Sequence, residues 1–265
     1  MIRIILSCVL VSIMSATATA QINSIDLEPE EQLSDWRISL TPYAFLAAQA
    51  TDVGGEKIRQ SFSDLSSITN AGFQFIGSVR YKRFVVSVDG TFATLSSEIQ
   101  ENRLLVEMGI KQNIIDLKAG YTLFQGIKTE ENRVINAWSV ELLAGAKNWV
   151  NNVVIDLTID LGALGSIKER IREPLGWWDP MIGTRANFAI SRNFLLSASL
   201  NVGGFGIGEA SDFTHDFTYV NVFKVLKFMT INAGFRSFKY NRTDDGLETT
   251  VNVLGPLLGV SFFTN

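Results

Sequence analysis

The sequence predicts an all-β protein: a transmembrane, antiparallel, up-and-down β-barrel of about ten strands, within a range of eight to twelve. Apolar and polar residues alternate along many segments, which gives each strand one apolar and one polar face. These segments run ten residues or more, the length that spans a bilayer in a tilted strand. Aromatic residues end the apolar faces, as interfacial girdles require, at Trp36, Tyr81, Phe84, Phe188, Phe194 and Phe228, with Trp138, Trp149, Trp177 and Trp178 assigned to the same girdles.

A soluble β-sandwich would also produce alternation, because the apolar faces of its two sheets pack together. Strands in globular proteins are usually only about 5–6 residues long, so the strand length favours a barrel in lipid. The composition excludes a disordered chain, since 46% of the residues are hydrophobic and only 19% are charged. A net charge of −4 argues against nucleic acid as a partner, which requires a basic surface.

Residues 1–20 are predicted to be a cleavable signal peptide for export. Arg3 gives a positive start, residues 4–14 are mainly apolar, and residues 16–20 are small. A membrane helix is excluded because it needs about 20 apolar residues. Cys8 is the single cysteine of the chain; a lipoprotein modification there is disfavoured because almost no apolar segment precedes it. The mature chain is therefore predicted to have no disulfide and no thiolate metal ligand.

Beyond the signal peptide, residues 21–35 are predicted to form an acidic periplasmic N-terminal arm, and residues 36–265 the barrel. The predicted strands are 36–48, 72–82, 84–96, 104–124, 136–150, 178–190, 194–206, 214–224, 228–240 and 248–263. Short links at 82–83, 191–193 and 224–227 are typical of periplasmic turns, and 125–135 is the longest link on that side. Residues 153–161 also alternate, so they either extend the fifth strand above the membrane or add a hairpin that makes twelve strands.

Two connections are predicted to hold short helical pieces in extracellular loops. Ile58, Phe62 and Leu65 follow helical spacing, as do Ile167 and Ile171. Such pieces either cover the rim of the barrel or reach into the lumen as a plug.

Seven short motifs lie in one order over nearly all of the mature chain: Trp36-Arg-Ile-Ser-Leu-Thr-Pro-Tyr-Ala-Phe-Leu, Phe62-Ser-Asp-Leu, Leu143-Ala-Gly-Ala-Lys-Asn-Trp149, Trp178-Asp-Pro-Met-Ile-Gly-Thr-Arg185, Gly203-Gly-Phe-Gly-Ile-Gly208, Ala233-Gly-Phe-Arg236 and Gly255-Pro-Leu-Leu-Gly-Val-Ser-Phe262. Together they resemble a family of uncharacterised proteobacterial outer-membrane β-barrel proteins. The resemblance implies a Gram-negative outer membrane, lipids as surroundings, and assembly through periplasmic chaperones and the barrel-assembly machinery. It brings no catalytic residue and no substrate. Such proteins usually end on an aromatic residue, whereas this sequence ends Phe262-Phe263-Thr264-Asn265.

If the apolar faces meet lipid, the opposite faces line the lumen and carry most of the charge. The candidate lumen charge network consists of Arg80, Asp89, Asp116, Lys118, Glu141, Lys147, Arg185 and Arg236, with Asp179 near the rim. Confined charges are costly unless they are paired, and the four acids and five bases nearly balance. A barrel of about 8 strands is just wide enough to be filled by side chains, so we expect an ion-pair lattice in a constricted bore. The alternative is a basic eyelet of Arg80, Arg185 and Arg236 that attracts anions.

The predicted function is that of a non-enzymatic barrel, structural or passing small solutes slowly, with no cofactor and no metal site; its oligomeric state is left open. The alternative is a surface enzyme that modifies lipids or cleaves proteins with His215, the single histidine, near Ser211 and Asp216. This alternative is disfavoured because neighbouring residues on a strand face opposite sides, so Asp216 cannot orient His215. No nucleophile motif accompanies the histidine.

Overall fold

The computed structural model describes residues 35–101, 104–130, 133–160, 166–244 and 246–264. The predicted signal peptide and residues 21–34 of the predicted arm lie outside these ranges. The strands are β1 (Trp36–Phe45), β2 (Ala48–Val53), β3 (Glu56–Gln60), β4 (Thr69–Tyr81), β5 (Phe84–Glu101), β6 (Leu104–Glu130), β7 (Arg133–Asp160), β8 (Ser166–Ser191), β9 (Phe194–Gly203), β10 (Phe213–Leu226), β11 (Met229–Asp244) and β12 (Leu247–Phe263), and the helix is α1 (Phe62–Ile68).

Ten of these strands close into an antiparallel barrel, as the sequence predicts. Neighbours follow the order β1-β4-β5-β6-β7-β8-β9-β10-β11-β12, and β1 pairs with β12 to complete the ring, for example Leu40 with Phe262 and Tyr43 with Gly259. The end at which β1 begins and β12 ends is the periplasmic end. The two remaining strands form a hairpin, in which β2 follows β1 and pairs with the extracellular half of β12 while β3 pairs with β2.

The question left open at residues 153–161 is decided in favour of an extended strand. β7 continues to Asp160 and stays paired with β6 and β8 throughout, so no extra hairpin forms there among the described residues. The prediction of a periplasmic link over residues 125–135 is wrong for most of that range. β6 and β7 continue as a paired ribbon to Glu130 and Arg133, with bulges at Thr122/Phe124 and Lys128/Thr129.

One of the two predicted helical pieces is present in the described residues. Helix α1 begins after Ser61, whose hydroxyl accepts from the backbone N–H of Asp64, while the Asp64 carboxylate accepts from the backbone N–H of Ser61 at 2.7 Å. This reciprocal capping starts the helix at Phe62, whereas Ile58 belongs to β3. α1 lies at the extracellular rim beside β2, β3 and β5. No helix in the described ranges is both long and apolar enough to cross a membrane.

The helical prediction at Ile167 and Ile171 is wrong, because both residues lie in β8. A spacing of four residues fits one face of a helix and also one face of a strand. Pairing with β7 decides between them: Ile167 lies opposite Ile159, and Ile171 opposite Ile155.

The outer face of the barrel is an apolar belt. On β7 it consists of alternate residues from Trp138 to Ala146 and ends at Asn148, a span of about nine residues, which matches a tilted membrane-crossing strand. Aromatic pairs line its periplasmic edge, with ring centroids 4.6 Å apart for Trp36–Tyr81 and 4.9 Å apart for Phe84–Tyr121. Trp138 and Trp178 are exposed on the outer surface, as predicted.

Trp149 and Trp177 do not belong to the girdles to which they were assigned. Both are buried inside the barrel. Their positions in the alternation explain this, since each has the same parity as the inward residues of its strand, Glu141 on β7 and Arg185 on β8.

Above the belt, β5 to β8 rise as an extracellular sheet, from Asn113 on β6 and Asn148 on β7 to the pairs Glu101–Leu104 and Asp160–Ser166. On its surface, Arg170 donates to both carboxylate oxygens of Asp156, at 2.5 and 2.8 Å. These hydrogen bonds, together with the positive charge of Arg170, lower the pKa of the Asp156 carboxyl. The barrel therefore extends well beyond its membrane-spanning part on one side.

Candidate functional site

The inward face of the barrel holds all nine side chains of the predicted charge network. Eight of them are buried, and Arg80 is half-buried. They fall into three separate groups. Two groups are held by ion pairs, whereas the contacts of Asp179 with the described residues are hydrogen bonds.

The first group lies at mid-height, and we call it the ionic layer. It consists of Asp89 on β5, Asp116 and Lys118 on β6, Lys147 on β7, Asp216 on β10 and Arg236 on β11. Lys118 Nζ lies 2.7 Å from Asp116 Oδ2, while Lys147 Nζ lies 3.4 Å from Asp116 and 3.0 Å from Asp216. Arg236 holds Asp216 through two guanidinium nitrogens, Nε at 2.8 Å and Nη2 in a shorter contact.

The ionic layer runs across the bore as well as along the wall. Lys147 and Asp216 lie on strands that are three places apart in the ring, and Arg236 Nη1 approaches Asp89 Oδ2 to 3.9 Å from a strand four places away. The Tyr43 hydroxyl on β1 donates to Asp89 Oδ1 at 2.8 Å. Three acids face three bases, and all six side chains are almost fully buried, so the layer is internally neutral when ionised.

An aromatic layer lies directly on the extracellular side of the ionic layer. It consists of Trp149, Trp177, Phe238 and Tyr240, each at most 3% exposed, with ring centroids 5.4 to 5.9 Å apart. The ammonium of Lys147 lies 5.3 Å from the Trp149 ring and 5.8 Å from the Phe238 ring, within cation–π range. Aromatic rings therefore fill part of the lumen on the extracellular side, next to buried polar side chains such as Gln112 and Asn151, whereas the sequence predicts a polar lumen.

The second ion-paired group, which we call the arginine cluster, lies on the periplasmic side of the ionic layer. Arg80 donates to Oε1 of Glu141 and to the Thr122 hydroxyl, the latter at 3.1 Å. Arg185 donates to Oε2 of the same glutamate through Nε at 2.8 Å and Nη2 at 2.5 Å. Arg37 on β1 pairs with Arg80 in the strand register, which brings a third guanidinium to this end.

Asp179 is separate from both ionic groups. Its Oδ1 accepts the backbone N–H of Ser211 at 2.7 Å, and its Oδ2 accepts the hydroxyls of Ser211 and Thr214 and the indole N–H of Trp149. The Trp177 indole N–H in turn donates to the Ser211 hydroxyl at 3.0 Å. This carboxylate ties the loop between β9 and β10 to the aromatic layer.

His215, the residue of the alternative enzyme hypothesis, lies on the outer surface near the extracellular end of β10. It pairs with Lys239 on β11 and Val202 on β9, and its ring lies 6.1 Å from the Phe213 ring. Asp216 faces the opposite side and is held by Lys147 and Arg236. The structure therefore does not bring the histidine and this aspartate together.

The predicted basic eyelet does not form as one group. Arg236 pairs with Asp216 in the ionic layer, whereas Arg80 and Arg185 share Glu141. Sequence reasoning missed Asp216, Tyr43 and Arg37 as interior residues. The alternation contained the signal for Asp216, because Thr214, Asp216 and Thr218 oppose the outward Phe217 and Tyr219.

Among known proteins, this chain shows similarity to solved structures only. No protein-family model matches the chain, and no curated protein matches it. Similar solved structures include the outer-membrane protease OmpT from Escherichia coli, at 10% identity over 88% of this chain and 99% of that chain, with a TM-score of 0.48. Neisserial surface protein A matches at 12% identity over 86% and 97%, with a TM-score of 0.35, and Ail from Yersinia pestis at 13% over 87% and 100%, with a TM-score of 0.33. Nothing that those proteins do carries over to this chain at such values.

The closed ring of ten strands, the apolar belt with its aromatic edge and the charged interior define the class of this protein. It is a transmembrane antiparallel β-barrel of the outer-membrane type, whose apolar belt faces membrane lipids.

Proposed function

We propose that this protein is a non-enzymatic barrel whose lumen is closed by the ionic layer, and that it has a structural role or passes small solutes only slowly. The observation that carries the proposal is the set of ion pairs across the bore, in which Lys147 reaches Asp216 at 3.0 Å and Arg236 reaches Asp89 at 3.9 Å. A solute on the barrel axis would have to separate these charges.

Separating these charges is energetically unfavourable. Breaking a buried pair by removing one partner typically costs about 3–5 kcal/mol, because the remaining charge is left uncompensated. The aromatic layer lies next along the axis, so an ion that passed the ionic layer would then lose its hydration against apolar rings. Both layers support a filled bore.

The proposal is tested by conductance in planar lipid bilayers. We expect the wild-type protein to give no stepwise conductance and the neutral double variant D216A/R236A to give steps, because it removes one acid and one base from the layer. The matched control is D156A/R170A, which removes an exposed ion pair of the extracellular sheet and is expected to stay silent. Steps of equal size in all three proteins would contradict a closed lumen, provided that heat-modifiable migration on denaturing gels shows each barrel to be folded.

The absence of enzymatic activity belongs to the same proposal. General base catalysis requires a base within hydrogen-bond reach of the group it activates, and the orienting carboxylate nearest to His215 in sequence faces the other side of β10. We expect H215A to leave the surface lipid profile and peptide cleavage unchanged. A loss of either activity in H215A, with the barrel intact, would favour the enzyme alternative.

Assembly partners are also part of the proposal. A barrel of this kind would be delivered by periplasmic chaperones and inserted by the barrel-assembly machinery, with no cofactor required. Depletion of that machinery in cells is expected to reduce the folded form, as measured by heat-modifiable migration.

A further inference from the structure

The outward surface becomes polar and basic where the apolar belt ends on the extracellular side of β10, β11, β12, β2 and β3, which are neighbours in that order. The belt residues there include Phe217, Phe235 and Leu254, which are 39% to 43% exposed. Above them, the strand register places one row of outward residues side by side: His215, Lys239, Asn252, Ala50 and Arg59. A second row lies one step further from the belt: Phe213, Asn241, Thr250, Asp52 and Lys57.

These two rows carry more positive than negative charge. Lys239, Arg59 and Lys57 are positively charged, and Asp52 is the one carboxylate among the ten residues. Lys57 Nζ lies 3.9 Å from Asp52 Oδ2, but the Lys57 side chain is 71% exposed, so this pair is weak. Glu248 belongs to the next row away from the belt, where it pairs with Thr243. We call the polar side chains that could bind an anion the basic patch: His215, Lys239, Asn252, Arg59 and Lys57.

The basic patch lies at the depth of the lipid headgroups, because it directly follows the apolar belt. Aromatic rings mark this depth, since Phe213 is exposed on the outer surface and its ring lies 6.1 Å from the His215 ring. Neighbouring strands lie about 4.8 Å apart, so Lys239 on β11 and Arg59 on β3 are separated by about 14 Å. Their long side chains can therefore contact the same headgroup or two adjacent ones.

We propose that the basic patch binds an anionic, phosphate-bearing lipid headgroup of the extracellular leaflet. Ammonium and guanidinium groups form charge-assisted hydrogen bonds with phosphate oxygens, and basic residues at an anionic lipid surface strengthen binding. The His215 ring and the Asn252 amide add hydrogen-bond donors. The acyl chains of the same lipid lie against the belt, so the site continues the surface that already faces lipid. This inference goes beyond the proposed function, because no residue of the patch faces the lumen.

The test measures lipid binding to the full-length protein in detergent by native mass spectrometry. The anionic probe is phosphatidic acid, and the zwitterionic probe is phosphatidylcholine with the same acyl chains. We expect the wild type to prefer phosphatidic acid and R59Q/K239Q to bind it about thirtyfold more weakly, because each basic residue contributes about a factor of five at an anionic lipid surface. The affinity for phosphatidylcholine should not change.

The matched control is K168Q/R172Q. It also removes two exposed positive charges from the outer surface, but from the part of β8 that rises above the belt. We expect it to bind phosphatidic acid as the wild type does. The single variant R59Q keeps the test decisive if the double variant fails to fold, because β3 is not part of the closed ring. R59Q should bind phosphatidic acid about fivefold more weakly.

Inorganic phosphate distinguishes a lipid site from a site for a free anion. It should displace phosphatidic acid no better than sodium chloride of the same ionic strength, because it has no acyl chains to contact the belt. Specific displacement by inorganic phosphate would overturn the proposal. Equal binding of the two lipids by the wild type would overturn it too, as would unchanged binding of phosphatidic acid by folded R59Q/K239Q. Heat-modifiable migration shows which variants are folded.

Discussion

At the scale of single residues, the interior depends on how each buried charge is compensated. Asp216 is held by Arg236 and Lys147, and Asp116 by Lys118 and Lys147, so each base of the layer lies between or beside acids. Asp179 is buried too, and within the described part of the chain it is held by four hydrogen-bond donors rather than by a cation. Hydrogen bonding to a carboxylate and pairing with a cation are thus two local solutions to the same desolvation cost.

We expect R236M to destabilise the barrel by about 3–5 kcal/mol, because Asp216 would lose a bidentate partner and Asp89 its nearest guanidinium. The double variant D216L/R236M should recover part of that loss, since it removes an acid together with its base. Urea-induced unfolding in lipid vesicles measures both free energies. Equal stability of R236M and the wild type would show that the layer is hydrated rather than closed.

The inward placement of the charges could be predicted, but their partners could not. A period of two assigns Asp89, Asp116 and Lys147 to the inner face from sequence alone. Asp216, the nearer of the two acidic partners of Lys147, is 69 residues away on a strand across the bore, and no local pattern encodes such a contact. Arg37 was missed because it lies near the strand start, where the alternation is short.

At the scale of the elements, the backbones of β6 and β7 approach each other closely at Gly145. A Cβ added at Gly145 would lie 1.9 Å from the carbonyl oxygen of Leu117 on the neighbouring strand, too close for any side chain without backbone movement. Gly109, also on this ribbon, has nothing within 4 Å of such an atom. The two glycines therefore have different roles.

G145A is expected to lower the free energy of unfolding by about 1–3 kcal/mol or more, the usual cost of forcing atoms into a packed site. G109A should change it little, since the added methyl group meets open space. Denaturant unfolding of both variants in the same detergent gives the comparison. If G145A and G109A lower the free energy of unfolding by the same amount, the close approach of the strands at Gly145 does not account for the effect of G145A.

The predictions of strands and helices were correct where the alternation of apolar and polar residues is long. They were wrong where one residue spacing fits both a helix and a strand. Each of the ten predicted barrel strands has its counterpart, with ends that shift by up to about a dozen residues at the extended β7 and β8. The spacing of Ile167 and Ile171 suits a helix or a strand, and pairing with β7 was required to choose between them.

At the scale of the whole molecule, closure of the ring by β1 and β12 removes every free edge from the membrane part. The extracellular sheet rises above the belt and is not needed for that closure, because the β1–β12 pairs lie at the periplasmic half. The ring and the sheet are therefore separable in principle.

Replacing residues 154–172 by a short turn is expected to leave a closed barrel, because the pairs it removes, from Val154–Arg172 to Asp160–Ser166 with β8 and from Gly109–Val154 to Leu104–Ile159 with β6, all lie above the belt. Heat-modifiable migration on a denaturing gel measures the closed form. Loss of that migration in the shortened protein would mean that the extracellular sheet is required for the barrel to fold.

The sequence by itself determined the class of fold, the membrane-facing side and the inward position of the charges, because a strand places successive side chains on opposite faces whatever its neighbours are. Only the tertiary structure decided which charges meet, that an aromatic layer packs on the extracellular side of the ionic layer, and that Arg37 joins the periplasmic end. The physical reason is that ring closure brings together strands far apart in the chain, and contacts across a bore depend on that closure and on the stagger of the strands.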